Sequence, residues 1–230
     1  MNNPERSFHS LDYMRHNARR LEHLSSLKIS VRKLSVLEVG AGIGDHSNYY
    51  MDRSCRVTIT DARNENLKYL RKRYPNADIR FSDMEKPKPL PDGPFDVIHC
   101  YGLLYHLSDP IEAIAFMSEH CKRLLFLETC VSFGESEEIN PIKEDIRSPD
   151  QSYVGMGCRP TRPWLWRELK KNFEHVYIPK TQPNHEESPI DWSSTDTHQG
   201  LSRSVFICSR VPLKNENLST ELLTIQYRHE

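Results

Sequence analysis

Residues 37–44 read LEVGAGIG and decide the fold, because they end an apolar strand in a glycine turn. The following residues, DHSNYY at 45–50, are typical of the start of a helix. Gly40 permits a tight turn, and Gly42 has no Cβ, so a ligand can approach the backbone. Gly44 lets the helix pack closely on the sheet. The stretch therefore predicts a ligand site at the first strand of an α/β domain.

A second strand, RVTITD at residues 56–61, ends in an acidic residue, Asp61. In a doubly wound sheet the tip of this strand lies beside the tip of the first. A carboxylate at that position accepts hydrogen bonds from the vicinal hydroxyls of a ribose. The glycine turn and the acid together are far more specific for a nucleoside ligand than either feature alone.

The glycines are spaced G-x-G-x-G, with Glu38 two residues before the first, whereas the dinucleotide turn reads G-x-G-x-x-G. This pattern resembles motif I of the class I S-adenosylmethionine-dependent methyltransferases. The similarity continues in FSDM at 81–84, in FDVIHCY at 95–101 and in YGLLYHL at 101–107. It extends over roughly residues 34–130.

The resemblance implies S-adenosylmethionine as the cofactor and methyl transfer as the activity. Asp83 stands where the family has the acid that meets the adenine amino group. The residues that we expect to contact the cofactor follow the glycine turn and the ends of the next strands: Glu38, Gly40, Ala41, Gly42, Gly44, Asp61, Ala62, Asp83, Met84 and Tyr101. In this chemistry the protein mainly positions two reactants, because the cofactor carries its own leaving group.

Composition excludes several other classes of protein. The chain has 230 residues and a net charge of -1, which suits one domain and favours neither nucleic acid nor an anionic membrane as a partner. No apolar stretch approaches the roughly 20 residues of a membrane span, and residues 1–6 lack the apolar core of a secretory signal. The six cysteines show no C-x-x-C spacing, which favours reduced core thiols over a metal cluster. We therefore expect a cytoplasmic protein without a metal cluster, and we assign no metal ligands.

Alternating strands and helices predict an α/β fold, namely a Rossmann-like doubly wound sheet in a single domain. The sheet is expected to be mostly parallel, with an antiparallel last strand near 204–209 inserted between the fifth and sixth strands. Three regions follow from this interpretation: an N-terminal cap helix in 1–30, a methyltransferase domain over 31–211 and a C-terminal tail over 212–230.

The N-terminal cap is predicted as an amphipathic helix over residues 10–27. Its apolar residues recur at helical spacing: Leu11, Met14, Ala18, Leu21, Leu24 and Leu27. Three arginines, Arg15, Arg19 and Arg20, are expected to point away from the packed face.

Residues 130–160 interrupt the alternation and are too long for an ordinary connection between a strand and a helix. They combine glycines, prolines and acids with apolar and aromatic side chains. The segment is either a functional lid or a disordered insert, and this mixture favours a partly ordered lid that is mobile in the free protein and closes over substrate.

Candidate catalytic residues are expected at the carboxyl ends of strands 4 and 5 and in the segments above them. His106 follows strand 4 and is expected to accept or relay the proton of an acceptor hydroxyl. Glu128 ends strand 5 and is expected to face the acceptor cavity and to orient either His106 or the acceptor. Each is as readily a structural residue as a catalytic one. His185 lies in NHEE at 184–187, where acid–base chemistry or metal binding is conceivable, although the spacing favours a plain polar loop. The candidate substrate contacts are Arg159 and Arg162, for an anionic acceptor, and Trp164.

These features favour a small-molecule methyltransferase that acts on a hydroxyl oxygen of a sugar or natural-product intermediate. An RNA or protein methyltransferase is the second interpretation, although CYGL at 100–103 stands where a motif of the Asn-Pro-Pro-Tyr type is expected and no basic module is appended. A non-catalytic, nucleoside-binding partner subunit is the third. An oxidoreductase is the fourth, and the glycine spacing disfavours it.

Overall fold

The structure, a computed structural model, describes residues 4–193 and 200–230. Residues 1–3 of the predicted cap region and residues 194–199, in the polar stretch before the last strand of the sheet, lie outside the described residues.

The described elements follow the predicted alternation of strands and helices. The helices are α1 (Pro4–Phe8), α2 (Leu11–Ser26), α3 (Ser47–Met51), α4 (Asn64–Arg73), α5 (Pro110–Glu119) and α6 (Arg162–Asn172), with a 3-10 turn at Leu104–His106. The strands are β1 (Ser35–Glu38), β2 (Arg56–Asp61), β3 (Asp78–Phe81), β4 (Phe95–Tyr101), β5 (Cys121–Val131), β6 (Ile139–Lys143), β7 (Met156–Pro160), β8 (His175–Pro179), β9 (Thr181–Gln182), β10 (Ser202–Ser209), β11 (Leu218–Ser219) and β12 (Tyr227–Arg228).

Within the described residues, the central sheet has eight strands in the order β11-β8-β10-β5-β4-β1-β2-β3. The strands from β5 to β3 in this order pair in parallel, whereas β10 lies antiparallel between β5 and β8. The predicted doubly wound sheet and its antiparallel insertion are therefore confirmed. Because neighbouring parallel strands end at one edge, the tips of β1, β2 and β4 meet there.

Successive residues of the central strands bury opposite faces of the sheet, as strand geometry requires. Leu37, Ile98 and Leu125 pack in one apolar cluster with residues of α5 and α6. Val36 and Val97 pack on the other face, in a cluster that includes residues of α2, α3 and α4. Helices therefore cover both faces, and the open carboxyl edge is left for the site. Among the described helices, none combines the length and the apolar character that a membrane crossing demands.

Helix α2 follows its apolar spacing only in its last turns, where Leu24 and Leu27 pack in the core, whereas its first half exposes the apolar residues and buries polar ones. Leu11 is 82% exposed and Met14 is 44% exposed. Arg20, expected to point outward, is only 2% exposed, because its guanidinium donates to the buried carboxylate of Glu128 at 2.7 Å. The buried residues of α2 are mostly polar: His16, Asn17, Arg20, His23 and Leu24. Ion pairing and hydrogen bonding thus outweigh apolar periodicity in the first half of this helix.

The C-terminal region 212–230 packs on the domain. Strand β11 extends the sheet at β8, and β12 pairs with β9. Gln226 is 2% exposed and donates to the carbonyl of Pro179 at 2.7 Å, while Trp192 Nε1 donates to its Oε1 at 2.9 Å. These side-chain bonds give an otherwise irregular segment a defined place.

The predicted lid region contains an antiparallel pair, β6 with β7, which we call the lid hairpin (residues 139–160). Its two strands are joined by a loop that reaches the start of α4. The hairpin therefore lies over the carboxyl edge of the sheet.

Candidate functional site

A cavity, partly open to solvent, lies at the carboxyl edge of β1, β2 and β4. The residues predicted to contact the cofactor line it, with the exception of Gly44. A Cβ on Gly44 would lie 2.7 Å from Tyr74 and 2.8 Å from Leu70, so this glycine allows the turn to pack against α4 rather than against a ligand. The structure thus brings the glycine turn and the strand-end acids into one wall.

The glycine turn is covered by the short N-terminal helix. Gly42 has φ +58°, a conformation that disfavours other residues. A Cβ there would lie 2.8 Å from the ring of Phe8, which rests on the turn. Phe8 and Tyr13 both line the cavity, so α1 and the start of α2 form its roof.

Asp61 is buried at the end of β2, and its carboxylate organises the turn. Oδ2 accepts from the backbone N–H of Gly42 at 2.8 Å, and Oδ1 accepts from the backbone of Arg63 at 2.8 Å and from Asn66 Nδ2 at 3.2 Å. A carboxylate has about four acceptor positions, so these three donors leave room for a ligand hydroxyl. Burial raises the pKa of Asp61 to about 6, although these hydrogen bonds oppose the rise.

Glu38, at the end of β1, is held below the turn. Its Oε2 accepts from the hydroxyl of Ser47 at 2.5 Å, and its backbone carbonyl accepts from Thr60 at 2.8 Å. Burial raises the pKa of Glu38 to about 7. Its position ties β1 to the start of α3 and to β2.

A chain of neutral hydrogen-bonding groups runs beneath the cavity. Tyr50 bonds to His99 Nδ1 at 2.8 Å, His99 Nε2 to His46 Nδ1 at 3.1 Å, and His46 Nε2 to Asn17 at 3.1 Å. Burial lowers the pKa of His99 to about 3 and that of His46 well below its usual value. Because the rings are uncharged at neutral pH, they position the wall without adding charge. Tyr101 stacks on His99 at 4.4 Å.

His106 lines the cavity at the end of the 3-10 turn after β4. Its Nδ1 lies 2.5 Å from Oε2 of Glu144, which comes from the lid hairpin. Glu144 also accepts from the backbone N–H of Ser152 at 2.7 Å and faces Arg159 at 3.4 Å. Burial lowers the pKa of His106, while the bond to Glu144 opposes this effect.

The tip of the lid hairpin is fastened beside Asp61. The guanidinium of Arg63 donates to three backbone carbonyls at 2.9–3.1 Å, those of Ile146, Gln151 and Ser152. Asn66 adds a bond to the carbonyl of Pro149 at 3.3 Å. Four tip residues line the cavity: Pro149, Asp150, Gln151 and Tyr153. The hairpin is therefore seated on the cavity rather than detached from it.

Glu128 was expected to face the acceptor cavity beside His106, and the structure places it elsewhere. Its carboxylate is 1% exposed and accepts from Arg20 at 2.7 Å and Arg203 at 3.4 Å. Arg203 in turn donates to the hydroxyl of Tyr105 at 3.3 Å. Two buried guanidiniums thus hold Glu128 under α2, because an unpaired buried carboxylate is costly.

His185 lies outside the cavity wall and stacks on His16 with ring centroids 4.7 Å apart and an interplanar angle of 20°. These two histidines and Glu187 offer ligand atoms within 4.8 Å of one another. Lone pairs in the planes of two stacked rings do not converge on one ion, and Arg203 Nε already donates to Glu187 at 2.6 Å. The group is therefore a packed polar cluster rather than a metal site.

Arg162 and Trp164 start helix α6 and lie apart from the cavity wall. Arg162 is 4% exposed, donates to Ser204 Oγ at 3.2 Å and stacks 4.2 Å over the ring of Trp192. Trp164 packs in the apolar core, so its expected substrate contact is replaced by packing. Arg159 is the predicted substrate residue nearest to His106, through Glu144 and the carbonyl of Tyr105.

Several site residues were missed from the sequence. Glu144 and Arg63 act across the hairpin, and only long-range folding brings them to the cavity. His99 offered a signal, since it is a polar residue inside the otherwise apolar strand VIHC at 97–100. His46, which follows the glycine turn by two residues, offered a weaker one.

Comparison with protein families gives a match of residues 37–124 to the methyltransferase domain family. A probable S-adenosylmethionine-dependent methyltransferase of Mycolicibacterium smegmatis is 36% identical over 90 residues, which are 39% of this chain and 33% of that protein. The alignment thus spans about a third of the relative's length. The matched residues contain the glycine turn, Asp61 and His106, so the similarity of this part of the chain to S-adenosylmethionine-dependent methyltransferases, predicted from the sequence, is confirmed.

Solved structures share the fold at low identity. The N-terminal domain of EvdMO1, crystallised in the presence of SAH and D-fucose, has a TM-score of 0.64 at 16% identity, over 87% of this chain and 84% of that one. The glycopeptide N-methyltransferase MtfA has a TM-score of 0.56 at 18% identity, over 85% and 90% of the two chains. The PH0226 protein of Pyrococcus horikoshii has a TM-score of 0.57 at 12% identity, over 88% and 92%. These similarities establish the fold alone.

Proposed function

Because this chain carries a methyltransferase domain of the S-adenosylmethionine-dependent class, we propose that it transfers a methyl group from that cofactor to a small-molecule acceptor. The proposed acceptor atom is a hydroxyl oxygen of a sugar or natural-product intermediate. The observation that carries this proposal is the cavity wall, which joins the glycine turn and two acids, Asp61 and Asp83, with a neutral histidine, His106.

The residues present fit the cofactor. The hydroxyl of Tyr101 is buried in the wall without a hydrogen-bond partner among the described residues, and such a group favours a polar ligand atom. Asp61 has an acceptor position left for a ribose hydroxyl. Asp83, half-buried at the same wall, suits the adenine amino group.

When bound, the cofactor supplies a methyl group activated by a positively charged sulfur. The chain's part is to align the acceptor and to accept the hydroxyl proton. We assign the second task to His106, because burial keeps its ring neutral at pH 7 and therefore able to take a proton. Glu128 has no direct role in this assignment, since Arg20 and Arg203 engage its carboxylate, and His185 is a reserve base only.

The proposal is tested with methyl-labelled cofactor and a panel of acceptors: free sugars, nucleotide sugars, glycopeptides, peptide amines and RNA. We expect label in a hydroxyl-bearing small molecule, micromolar-range binding of the cofactor and weak binding of NAD. Label in peptide or RNA would favour the second interpretation. If the protein binds the cofactor but transfers no methyl group to the panel or to any compound in a cell extract, a non-catalytic subunit is favoured instead.

The role of His106 is tested by His106→Ala, which should lower turnover by about a hundredfold or more and leave cofactor affinity nearly unchanged. His175→Ala, in β8 and outside the cavity wall, is the matched control and should turn over normally. If His185→Ala abolishes turnover and His106→Ala does not, the base is His185, which stacks on His16 of α2. If neither matters, a nitrogen or sulfur acceptor that needs no protein base replaces the hydroxyl.

A further inference from the structure

We propose that Glu144 of the lid hairpin is the positioning residue for His106, so that the base is complete only when the hairpin is seated on the cavity. This inference rests on the proposed function, because it assumes that His106 accepts a proton from the acceptor. The two residues are 38 positions apart, and the fold joins His106 Nδ1 to Glu144 Oε2 at 2.5 Å.

The bond fixes which nitrogen of His106 is available. The side chain of Glu144 is 2% exposed, and its carboxylate is surrounded by donors: the backbone N–H of Ser152 at 2.7 Å and Arg159 at 3.4 Å. These donors favour the ionised form, which only accepts hydrogen bonds. Nδ1 of a neutral His106 must therefore carry the proton, and Nε2 is left with the lone pair that a base needs.

The hairpin is shaped for this contact. A Cβ on Gly157 would lie 2.4 Å from the carbonyl oxygen of Tyr105 and 2.8 Å from Oε1 of Glu144, so only glycine lets β7 lie directly on the turn that carries His106. Arg159 adds a bond to the same carbonyl at 3.1 Å. At the other end, the guanidinium of Arg63 holds the tip.

Other charged groups do not replace Glu144. The charges that act on His106 are Glu144 and Arg159 from the hairpin and Arg203 from β10, and Glu144 is the acid among them. Both arginines disfavour a charged imidazole, whereas Glu144 favours it. Glu128, which the sequence suggested would orient either His106 or the acceptor, is held by Arg20 and Arg203. A proton arriving at Nε2 is thus stabilised by Glu144 across the ring.

The first test measures the tautomer and pKa of His106 by nitrogen-detected NMR in the unmodified protein. We expect the neutral ring to be protonated at Nδ1. A neutral ring protonated at Nε2 would overturn the proposal, and this measurement needs no variant to fold.

The second test compares Glu144→Gln with Glu138→Gln, which changes an exposed acid just before the hairpin, whereas Glu144 is the acid bonded to His106. Glu144→Gln keeps the size of the side chain but loses its charge, so the pKa of His106 should fall. The acid limb of the pH–rate profile should move down with it, and turnover should fall about tenfold with cofactor affinity unchanged. Glu138→Gln should change none of these quantities.

A purely structural tether would give a different result. In that case Glu144→Gln would loosen the hairpin to proteolysis but leave the pKa of His106 and the pH profile where they are, which would overturn the proposal. The outcome also separates the two proposals. Absence of methyl transfer with the expected shift in pKa refutes the function alone, whereas transfer with an unchanged pKa refutes the role of Glu144 alone.

Discussion

Replacement of Asp61 by asparagine is expected to weaken cofactor binding while leaving the fold intact. The carboxylate accepts from Gly42, Arg63 and Asn66, and its remaining acceptor position suits a ribose hydroxyl. Loss of a charge-assisted hydrogen bond costs about 1.5–3 kcal/mol, so the dissociation constant should rise roughly ten- to a hundredfold.

The stability of the free protein should change much less, because two effects oppose each other. Burial raises the pKa of Asp61 from 3.8 to about 6, so its contribution to stability is present below pH 3.8 and is lost as pH rises through 6. At neutral pH, keeping the buried carboxylate ionised therefore lowers the free energy of unfolding by about 3 kcal/mol. Asparagine carries no charge, so the variant does not have this cost. Asparagine also offers Gly42 or Arg63 a donor in place of an acceptor, which costs about 1–3 kcal/mol.

Calorimetric titration between pH 5 and 8 and thermal unfolding at each pH provide the assay. In the unmodified protein, affinity should fall as pH drops through about 6, because the ribose hydroxyls bond best to the ionised carboxylate. In Asp61→Asn this pH dependence of cofactor affinity should vanish, except for a part that comes from Glu38, whose pKa burial raises to about 7. The variant Glu38→Gln measures that part separately. Equal affinity of Asp61→Asn and the unmodified protein at pH 8 would refute the reasoning. A melting temperature lower by more than about 10 °C would show instead that the substitution damages the fold.

Three other substitutions test the packing around the site. Arg63→Ala removes the donors to three hairpin carbonyls, so limited proteolysis at residues 146–153 should be faster than in the unmodified protein. The control is Arg71→Ala, which changes an exposed arginine and should leave the rate of cleavage unchanged. Equal rates in the two variants would contradict the role of Arg63 in holding the hairpin. Gly157→Ala places a Cβ 2.4 Å from the carbonyl oxygen of Tyr105, so the free energy of unfolding should fall by about 1–3 kcal/mol. Denaturant titration measures this change, and an unchanged free energy of unfolding would contradict the close packing of β7 on the turn. Arg20→Leu leaves Glu128 with Arg203 alone and should cost about 3–5 kcal/mol, and the double variant with Glu128→Leu should recover part of this loss; an additive loss would argue against the pair.

The sequence by itself determined the fold and the cofactor wall, because both depend on local patterns. Apolar strands, capped helices and glycines with positive φ are specified within a few residues, and the order of parallel strands then fixes which tips meet. The glycine turn, Asp61 and Asp83 could therefore be placed at one cavity before any coordinates were known. Strand β4 was predicted with the bounds that the structure gives it.

The partners of the polar residues were decided only by the tertiary structure. Apolar periodicity placed Arg20 on the outside of α2, yet its guanidinium is buried against Glu128, a partner 108 positions away. Glu128 was expected to orient either His106 or the acceptor, but two arginines engage its carboxylate, and the acid bonded to His106 is Glu144 of the hairpin. A short pattern carries no information on which distant charge neutralises a buried one, and that choice depends on desolvation and distance in the folded chain.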